Sequence, residues 1–452
     1  MLHSHNIEIK KEFFTVNNGV KKTSLMLIIT GLILTLIGVF TLPRDTHHAH
    51  EDHAHHASHD VHDPWGEHQV NNPAPPPTPE DPGLHQPWYS RILVNVMTNS
   101  YFFLIISICA LFFVALQYIA NAGWATLIKR IPEALATFIP IAAILLILIL
   151  VFGKNAIYHW AHYEHEGLLP GDKGFDALLD DKKWFLNSRM FIGGIIIIPA
   201  LWYFFKTKLS ALSSKEDEVG GLDSFRSSIR WSAGFTFVFA FSFSILSWLV
   251  VMSVDAHWFS TIFSVYNFAT GFVSAMAVIT LIVIYLRSQG YLTLVTEEHL
   301  HDLGKFMFAF SIFWTYIWIA QYLLIWYAQI PEEVYYYQVR LMDKWKPFFY
   351  INLVLNFLVP FFFLMTRDAK RNPRILTFVA LVILVGHWND VYLMIMPGTI
   401  GSLAGLGVLE IGMFLLFAGL FIYWVFHSLT KKSLVPVNHP YVHESAHHET
   451  GV

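Results

Sequence analysis

The chain has 452 residues, of which 55% are hydrophobic and only 14% are charged, whereas a soluble domain carries roughly 25% charged residues. The formal net charge of -4 is small and spread along the chain, so nothing points to nucleic acid as a partner. This composition excludes a soluble protein and indicates that most side chains face lipid or other apolar helices.

The single cysteine, Cys109, lies within an apolar run. One thiol excludes a disulfide framework, a cysteine-based zinc site, an iron–sulfur cluster held by this chain alone and C-x-x-C-H haem attachment. We therefore predict no metal site in this chain. Any redox metal of a working assembly is expected on another subunit.

Ten apolar segments are long enough to cross a hydrocarbon core of roughly 30 Å, which requires about 20 residues. They predict an all-α integral membrane protein with about ten transmembrane helices, nine or eleven being the alternatives. The first segment, residues 24–42, is not followed by a small-residue cleavage pattern, so it is interpreted as an uncleaved helix. The other nine are 97–120, 133–153, 190–206, 230–253, 262–286, 305–329, 347–366, 374–396 and 407–429.

The placement of lysine and arginine predicts the orientation. Most of the 29 Lys and Arg residues flank the spans on the side that carries the amino terminus, which is the pattern of a cytoplasmic face. The predicted location is the bacterial inner membrane, with both termini cytoplasmic. The predicted regions are a cytoplasmic segment (1–23), the first helix (24–42), a His- and Pro-rich outer loop (43–91), a nine-helix membrane domain (92–429) and a His-containing cytoplasmic tail (430–452).

Two outer loops are long. Loop 43–91 has a composition that cannot bury a core, so it is expected to stay extended or to dock on a neighbour. Loop 154–189 mixes aromatic and charged residues and is expected to be ordered. Its His159, His162 and His165 are spaced three apart and could offer imidazoles to a metal, but a solvated loop is the competing interpretation.

Ionisable residues inside a membrane are costly, so each is a candidate functional residue. His387 and Asp390 lie at i, i+3 on one face of the ninth segment, and Asp255 and His257 end the fifth segment on the same, outer side. A quinol must lose protons as it loses electrons, and its pocket needs such groups beside apolar walls. We predict these four residues as quinol-binding or proton-relay residues. The alternative is that they cap helix ends at the headgroup level.

A second set of polar residues lies on the cytoplasmic side. Glu133 begins the third segment, while His301, Asp302 and Lys305 lead into the seventh. We predict that they form the entry of a proton half-channel. The alternative is that their side chains simply reach from the helix ends to water.

Haem within the helices is not expected. A haem b bundle needs paired histidines that face each other from within the spans, and only His387 lies well inside one.

Several stretches together resemble the NrfD/PsrC-like family of polysulfide-reductase-type membrane subunits, most closely the ActF branch found in bacterial alternative complex III. The likeness covers nearly all of the chain from about Pro87. The stretches that carry it are WAH at 160–162, DALLDDKKWFLN at 176–187, DAHWFSTIFSVY at 255–266, HDLGK at 301–305 and IPEE at 330–333.

The resemblance implies two four-helix bundles plus flanking helices, in a subunit of a quinol:cytochrome c (or other acceptor) oxidoreductase. The implied partners are a paralogous quinol-binding membrane subunit, a molybdoenzyme-like subunit with iron–sulfur clusters, cytochrome c subunits with haem c, and membrane lipids. This chain would carry no redox centre, and quinone or quinol is the one ligand to expect. The family's outer polar residues fall on His162, Asp176, Asp255 and His257. Glu410, near the outer start of the tenth segment and close in depth to His387 and Asp390, is a further predicted quinone-side residue.

Two other functions stay open. A secondary transporter or ion permease would use broken helices, and Pro140, Pro199 and Pro360 interrupt three spans, although not at the ionisable residues. A purely structural scaffold would also use the abundant aromatic residues (39 Phe, 19 Tyr and 15 Trp) in lipid belts and subunit contacts. The histidine-rich part of loop 43–91 departs from the family pattern.

Overall fold

The computed structural model describes residues 9–42, 87–167, 170, 172, 175–341, 343–401 and 405–449. Within these ranges it is helical, has no β-strand and contains ten helices long and apolar enough to cross a membrane. The prediction of an all-α protein with ten spans is thus confirmed. Most of loop 43–91, with its histidine-rich part, lies outside the described residues.

The ten spanning helices are here numbered α1 to α10 in chain order. They are Asn18–Phe40, Ser90–Ile119, Arg130–Ile157, Ser188–Val219, Leu222–Val254, Phe263–Ser288, Glu297–Ala328, Lys346–Phe363, Pro373–Thr399 and Val408–Leu429.

Most helices extend beyond the predicted apolar segments, because a helix continues through its polar end turns where hydropathy no longer marks it. One example is α7, which begins at Glu297 instead of residue 305. A capping box stabilises this start: the His299 side chain accepts a hydrogen bond from the Thr296 backbone N–H at 3.1 Å. His301 and Asp302 therefore lie within the first turns of α7.

The helices form two four-helix bundles. Helices α2 to α5 pack in one ring and α6 to α9 in a second, and the two rings meet where α2 and α5 contact α6 and where α2 contacts α9. Helix α6 is the most enclosed span, with 83% of its apolar window buried. Helix α10 packs on α2 and α3, and α1 packs on α10.

Glycines allow α1 and α10 to approach closely. A Cβ atom on Gly31 would lie 2.3 Å from the Leu416 backbone nitrogen, and one on Gly412 would lie 2.5 Å from the Thr35 backbone nitrogen. Small residues that bring two backbones together are a common means of helix association in membranes.

Both ends of the described chain lie on one side of the bundles, here called the terminal face; the opposite side is the far face. The two terminal segments pair through a single antiparallel bridge between Phe13 and Ser433, where the Leu434 N–H donates to the Glu12 carbonyl at 2.7 Å. The terminal face is the predicted cytoplasmic side.

Candidate functional site

A buried carboxylate, Asp390 of α9, lies at the centre of the second bundle. It accepts hydrogen bonds from the Tyr266 hydroxyl, from Thr270 Oγ1 at 2.8 Å, from Trp314 Nε1 at 2.9 Å and from Asn352 Nδ2 at 2.7 Å. Tyr266 and Thr270 belong to α6, Trp314 to α7 and Asn352 to α8. Every other helix of this bundle therefore supplies a neutral donor to the same side chain.

His387 lies one turn from Asp390 towards the terminal face and is fully buried. Its Nδ1 is 3.8 Å from Asp390 Oδ2, beyond hydrogen-bonding distance, and the ring packs edge-on against Trp314 with the centroids 5.4 Å apart. Neither ring nitrogen has a hydrogen-bond partner among the described residues. A buried polar group without a partner costs about 1–3 kcal/mol, so packing alone does not explain a histidine here.

Helix α8 extends the polar cluster. Asn356 Nδ2 donates to Asn352 Oδ1 at 2.7 Å, so an amide chain leads to Asp390. The segment Val354–Leu358 is a π-helix, a widened turn that often marks functional sites. Helix α9 accommodates it through Gly386, where a Cβ atom would lie 2.2 Å from Asn356 Oδ1.

A buried ion pair closes the far-face end of this bundle. Arg340, on the helix Pro331–Leu341 between α7 and α8, donates to Asp255 Oδ2 at 2.8 Å. Its Nε and Nη2 donate to the carbonyls of Leu393 and Met394 of α9 at 2.9 and 3.0 Å. The Leu393 carbonyl lacks its usual helical donor because that position is Pro397, which has no N–H.

Close packing encloses the ion pair. The Arg340 guanidinium lies 3.5 Å from the centroid of the Tyr336 ring, which stacks on Trp258 with the centroids 4.0 Å apart. A Cβ atom on Gly398 would lie 2.5 Å from Asp255 Oδ1, so only glycine lets α9 approach this carboxylate. Removing one partner of such a buried ion pair typically costs about 3–5 kcal/mol of stability.

A small cavity separates the ion pair from Asp390. Its volume of about 20 Å³ is the space of about one water molecule, so a quinone ring does not fit in this conformation. The cavity walls include Tyr266, Gln321, Tyr337, Arg340, Asn352 and Asp390.

His257 lies apart from Asp255 although only one residue separates them in sequence. On the far face of the first bundle, its Nε2 lies 2.5 Å from Asp176 Oδ2. Asp176 also caps the helix Ala177–Asp181 by accepting from the N–H groups of Leu178 and Leu179. Burial acts to raise the pKa of Asp176, but its hydrogen bonds to His257 and to these N–H groups outweigh burial and lower it. His162 is exposed on the neighbouring helix His159–Glu166.

Glu410 lies in a third place, between α2 and α10. It accepts from Arg91 Nε at 2.8 Å and Nη2 at 2.9 Å and from Asn95 at 3.1 Å, and it caps α10 through the Gly407 N–H. These contacts join α2 to α10, and Glu410 is not among the residues that line the cavity beside Asp390.

The predicted proton-entry residues divide between the two bundles at the terminal face. Glu133 of the first bundle accepts from Arg130 Nη1 at 2.7 Å and from Ser213 Oγ at 2.6 Å. Asp302 of the second bundle pairs with Lys305 and lies 2.7 Å from His448 Nε2, with His301 Nδ1 4.0 Å away.

Sequence reasoning missed the residues that complete the cluster around Asp390. Two signals could have pointed to them: Asn352 and Asn356 lie at i, i+4 in a span, and Pro397-Gly398 interrupts α9 two turns beyond Asp390. The missed residues are Tyr266, Thr270, Trp314, Arg340, Asn352 and Asn356.

The fold and site define the class: an all-α, multi-span membrane protein with a buried polar cluster inside one of two four-helix bundles. Within the described ranges, no group of three or more His, Cys, Asp or Glu residues has an arrangement that could hold a metal ion. The sequence matches no protein-family model, and a search of curated proteins finds no match.

Proposed function

We propose that this chain is a proton-relaying membrane subunit of a quinol:cytochrome c (or other acceptor) oxidoreductase. The observation that carries the proposal is the buried cluster of His387 and Asp390 within a membrane span, joined through a water-sized cavity to the Arg340–Asp255 pair at the far face. Ionisable groups within a membrane span are energetically costly, so they usually mark a functional site.

The donors around Asp390 suit proton transfer. Hydroxyl groups both donate and accept, so Tyr266 and Thr270 can pass a proton to or from the carboxylate, whereas Asn352 and Trp314 hold it in place. His387 offers two unoccupied ring nitrogens on the terminal side, and imidazole is the side chain best suited to exchange protons near neutral pH. On the far side of Asp390, the water-sized cavity would hold the water that carries the proton onward.

Arg340 closes the far-face end of this proton relay. A guanidinium does not give up its proton, and a fixed positive charge repels a proton that approaches it. Passage to the far face then requires the Arg340 guanidinium to move out of the route, which makes the Arg340–Asp255 ion pair a gate that opens during turnover.

The place of the chain in an oxidoreductase is supported by the family resemblance and by the His257–Asp176 pair, which lies where a quinol hydroxyl could reach it from the far face. Electrons would pass through an iron–sulfur subunit and cytochrome c subunits. Because the cavity near Asp390 is too small for a quinone ring, this chain would serve in proton movement, with quinol oxidised at or beside the far face.

Purification through this chain in mild detergent tests the proposal. Mass spectrometry should identify an iron–sulfur partner and cytochrome c subunits, and a dithionite-reduced minus oxidised spectrum should show cytochrome c bands. A stable, colourless protein without partners would overturn it.

One observation favours a second candidate, a secondary transporter. The π-helix of α8 lies beside Asp390, and α9 contains a proline, Pro397, two turns beyond it. Irregular helices near buried charges are typical of transporter sites. Against it, both Asp390 oxygens face N–H or O–H donors, which a coupling cation could not replace without rearrangement. Substrate flux into vesicles that contain only this chain would favour the transporter.

A further inference from the structure

The C-terminal segment, residues 431–449, lies across the terminal face and contacts both bundles. Lys432 Nζ donates to Ser210 Oγ of α4 at 2.9 Å, and Asn438 Nδ2 donates to the Asp217 carbonyl of the same helix at 2.8 Å. Further along, Ser445 is fully buried and its Oγ donates to the Trp124 carbonyl at 2.6 Å. The segment therefore runs from the end of α4 over the turn between α2 and α3.

At the first bundle this segment inserts His439. Its Nδ1 accepts a hydrogen bond from the Tyr441 backbone N–H at 3.1 Å, which places the ring proton on Nε2. That Nε2 lies 3.3 Å from Glu216 Oε1, an oxygen of a carboxylate that is fully buried. Lys129 Nζ lies 3.5 Å from the same carboxylate oxygen.

The surroundings of His439 keep the ring neutral. Burial lowers its pKa to about 2, and the positive charges of Lys129 and Arg130 act in the same direction. A neutral ring is what this position requires, because protonation of Nδ1 would turn it from an acceptor into a donor facing the Tyr441 N–H.

At the second bundle the same segment places His448 on Asp302, with Nε2 and Oδ2 2.7 Å apart. Ser445 Oγ also lies 3.3 Å from Nε2 of His299, a fully buried ring in the first turn of α7. One segment thus contacts the acidic cluster at the terminal end of each bundle.

We propose that residues 431–449 form a cap that closes the terminal-face ends of both bundles to water and opens locally, with His439 and His448 as its two latches. The closure is independent of the quinol chemistry. Its consequence, that proton supply to Glu133 and Asp302 depends on cap opening, rests on the proposed function.

Thiol labelling tests the cap directly, because the native thiol, Cys109, is buried and gives little background. The reporter is Thr126→Cys, since Thr126 is buried beneath His439 with its Oγ1 3.5 Å from Nδ1. The reference is Ser288→Cys, an exposed position on the same face. A membrane-impermeant maleimide is applied to membranes that expose the terminal face.

The Thr126→Cys thiol should react at least about tenfold more slowly than the Ser288→Cys thiol, because it becomes accessible only when the cap opens. Adding His439→Ala and His448→Ala should raise its rate at least about tenfold and leave Ser288→Cys unchanged. Adding His439→Gln instead, which keeps a polar side chain of similar length beside Glu216, should leave the slow rate nearly intact. Equal reactivity of the two thiols, or no change without the latches, would overturn the proposal.

Hydrogen exchange on the unaltered protein provides a second measurement if the latch-free variant does not fold. Amides of residues 431–449 should exchange more slowly than an unstructured chain but faster than those of α2. Exchange as slow as that of α2 would show a cap that does not open, and exchange at the unstructured rate would show that it does not dock. Either result contradicts the proposal, and neither depends on quinol turnover.

Discussion

His387 makes no hydrogen bond to any described residue, although its ring is fully buried. This property separates a structural role from a chemical one. Replacing an unpartnered polar group by an apolar one of similar size leaves no other polar atom without a hydrogen-bond partner. It also removes a desolvation cost of about 1–3 kcal/mol. If His387 had only a structural role, an apolar side chain of similar size would therefore make the protein more stable.

The substitution His387→Met should therefore leave thermal stability unchanged or raise it, while proton-coupled turnover falls by about 10² or more, the usual contribution of a positioned acid or base. Both are measured on the same purified assembly. Unchanged turnover in a stable variant would assign the site to packing and favour the scaffold interpretation.

Asp176 combines a helix cap with a side-chain contact to His257, and two substitutions separate these roles. Asp176→Asn keeps a capping oxygen but weakens the contact with His257, whereas Asp176→Ala removes both and should cost about 1 kcal/mol more at neutral pH. Thermal unfolding of the three proteins measures the difference. Equal stability of the Asn and Ala variants would contradict the capping role.

The pH dependence of this pair follows from the lowered pKa of Asp176. A carboxyl group whose pKa is lower in the folded state stabilises the fold above its unfolded pKa of about 3.9, and this stabilisation is lost as the pH falls through the folded value. The advantage of the parent over Asp176→Asn should be present at pH 7 and disappear in acid. A difference that grew on acidification would contradict this sign.

Helices α8 and α9 pack closely because Gly386 of α9 has no side chain. Gly386→Ala would place a methyl group 2.2 Å from Asn356 Oδ1 and 2.8 Å from Leu355 Cβ, so the Asn356 side chain or α8 itself must shift. Either shift disturbs the amide chain to Asp390. We expect a loss of about 1–3 kcal/mol in stability together with lower turnover.

The matched control for Gly386→Ala is Gly193→Ala in α4, where nothing lies within 4 Å of the added methyl group. That change should be neutral or slightly stabilising, because alanine favours helix over glycine. If the two variants behaved alike, the close approach of α8 to α9 would be wrong.

The sequence predicted the existence of each spanning helix, because runs of about 20 apolar residues have no other stable structure in lipid. It did not predict the π-turn at Val354–Leu358, since hydropathy is insensitive to how a helix is wound. Arg340 was missed for a related reason: it lies in a far-face loop by sequence, and only folding brings it to the carbonyl that Pro397 leaves free.

The candidate site was predicted in part. His387 and Asp390 share one helix, so their spacing was enough to bring them together. Asp255 and His257 are neighbours in sequence, but the turn after α5 directs them into different bundles, which helical periodicity does not reveal. The donors to Asp390 are neutral residues, which are common in membrane helices and carry no charge signal.

The two bundles meet where α2 and α6 approach each other. A Cβ atom on Gly271 would lie 3.0 Å from Cys109 Sγ and 3.1 Å from Ile105 Cβ. Gly271→Ala should therefore destabilise the protein by about 1–3 kcal/mol.

Cys109→Ala removes the sulfur nearest to the added methyl group, so the double variant should lose less stability than the sum of the two single variants. A coupling of about 0.5 kcal/mol or more is expected for residues in direct contact. Strict additivity in thermal or denaturant unfolding would contradict this packing between the bundles.

The central claim is that Asp390 relays protons while the complex oxidises quinol. The most direct measurement is proton release during quinol-driven reduction of the acceptor, in vesicles of the purified assembly with and without Asp390→Asn. We expect the variant to assemble with its partners, while proton release and coupled turnover fall by about 10² or more. Unchanged release and turnover in a fully assembled variant would contradict it.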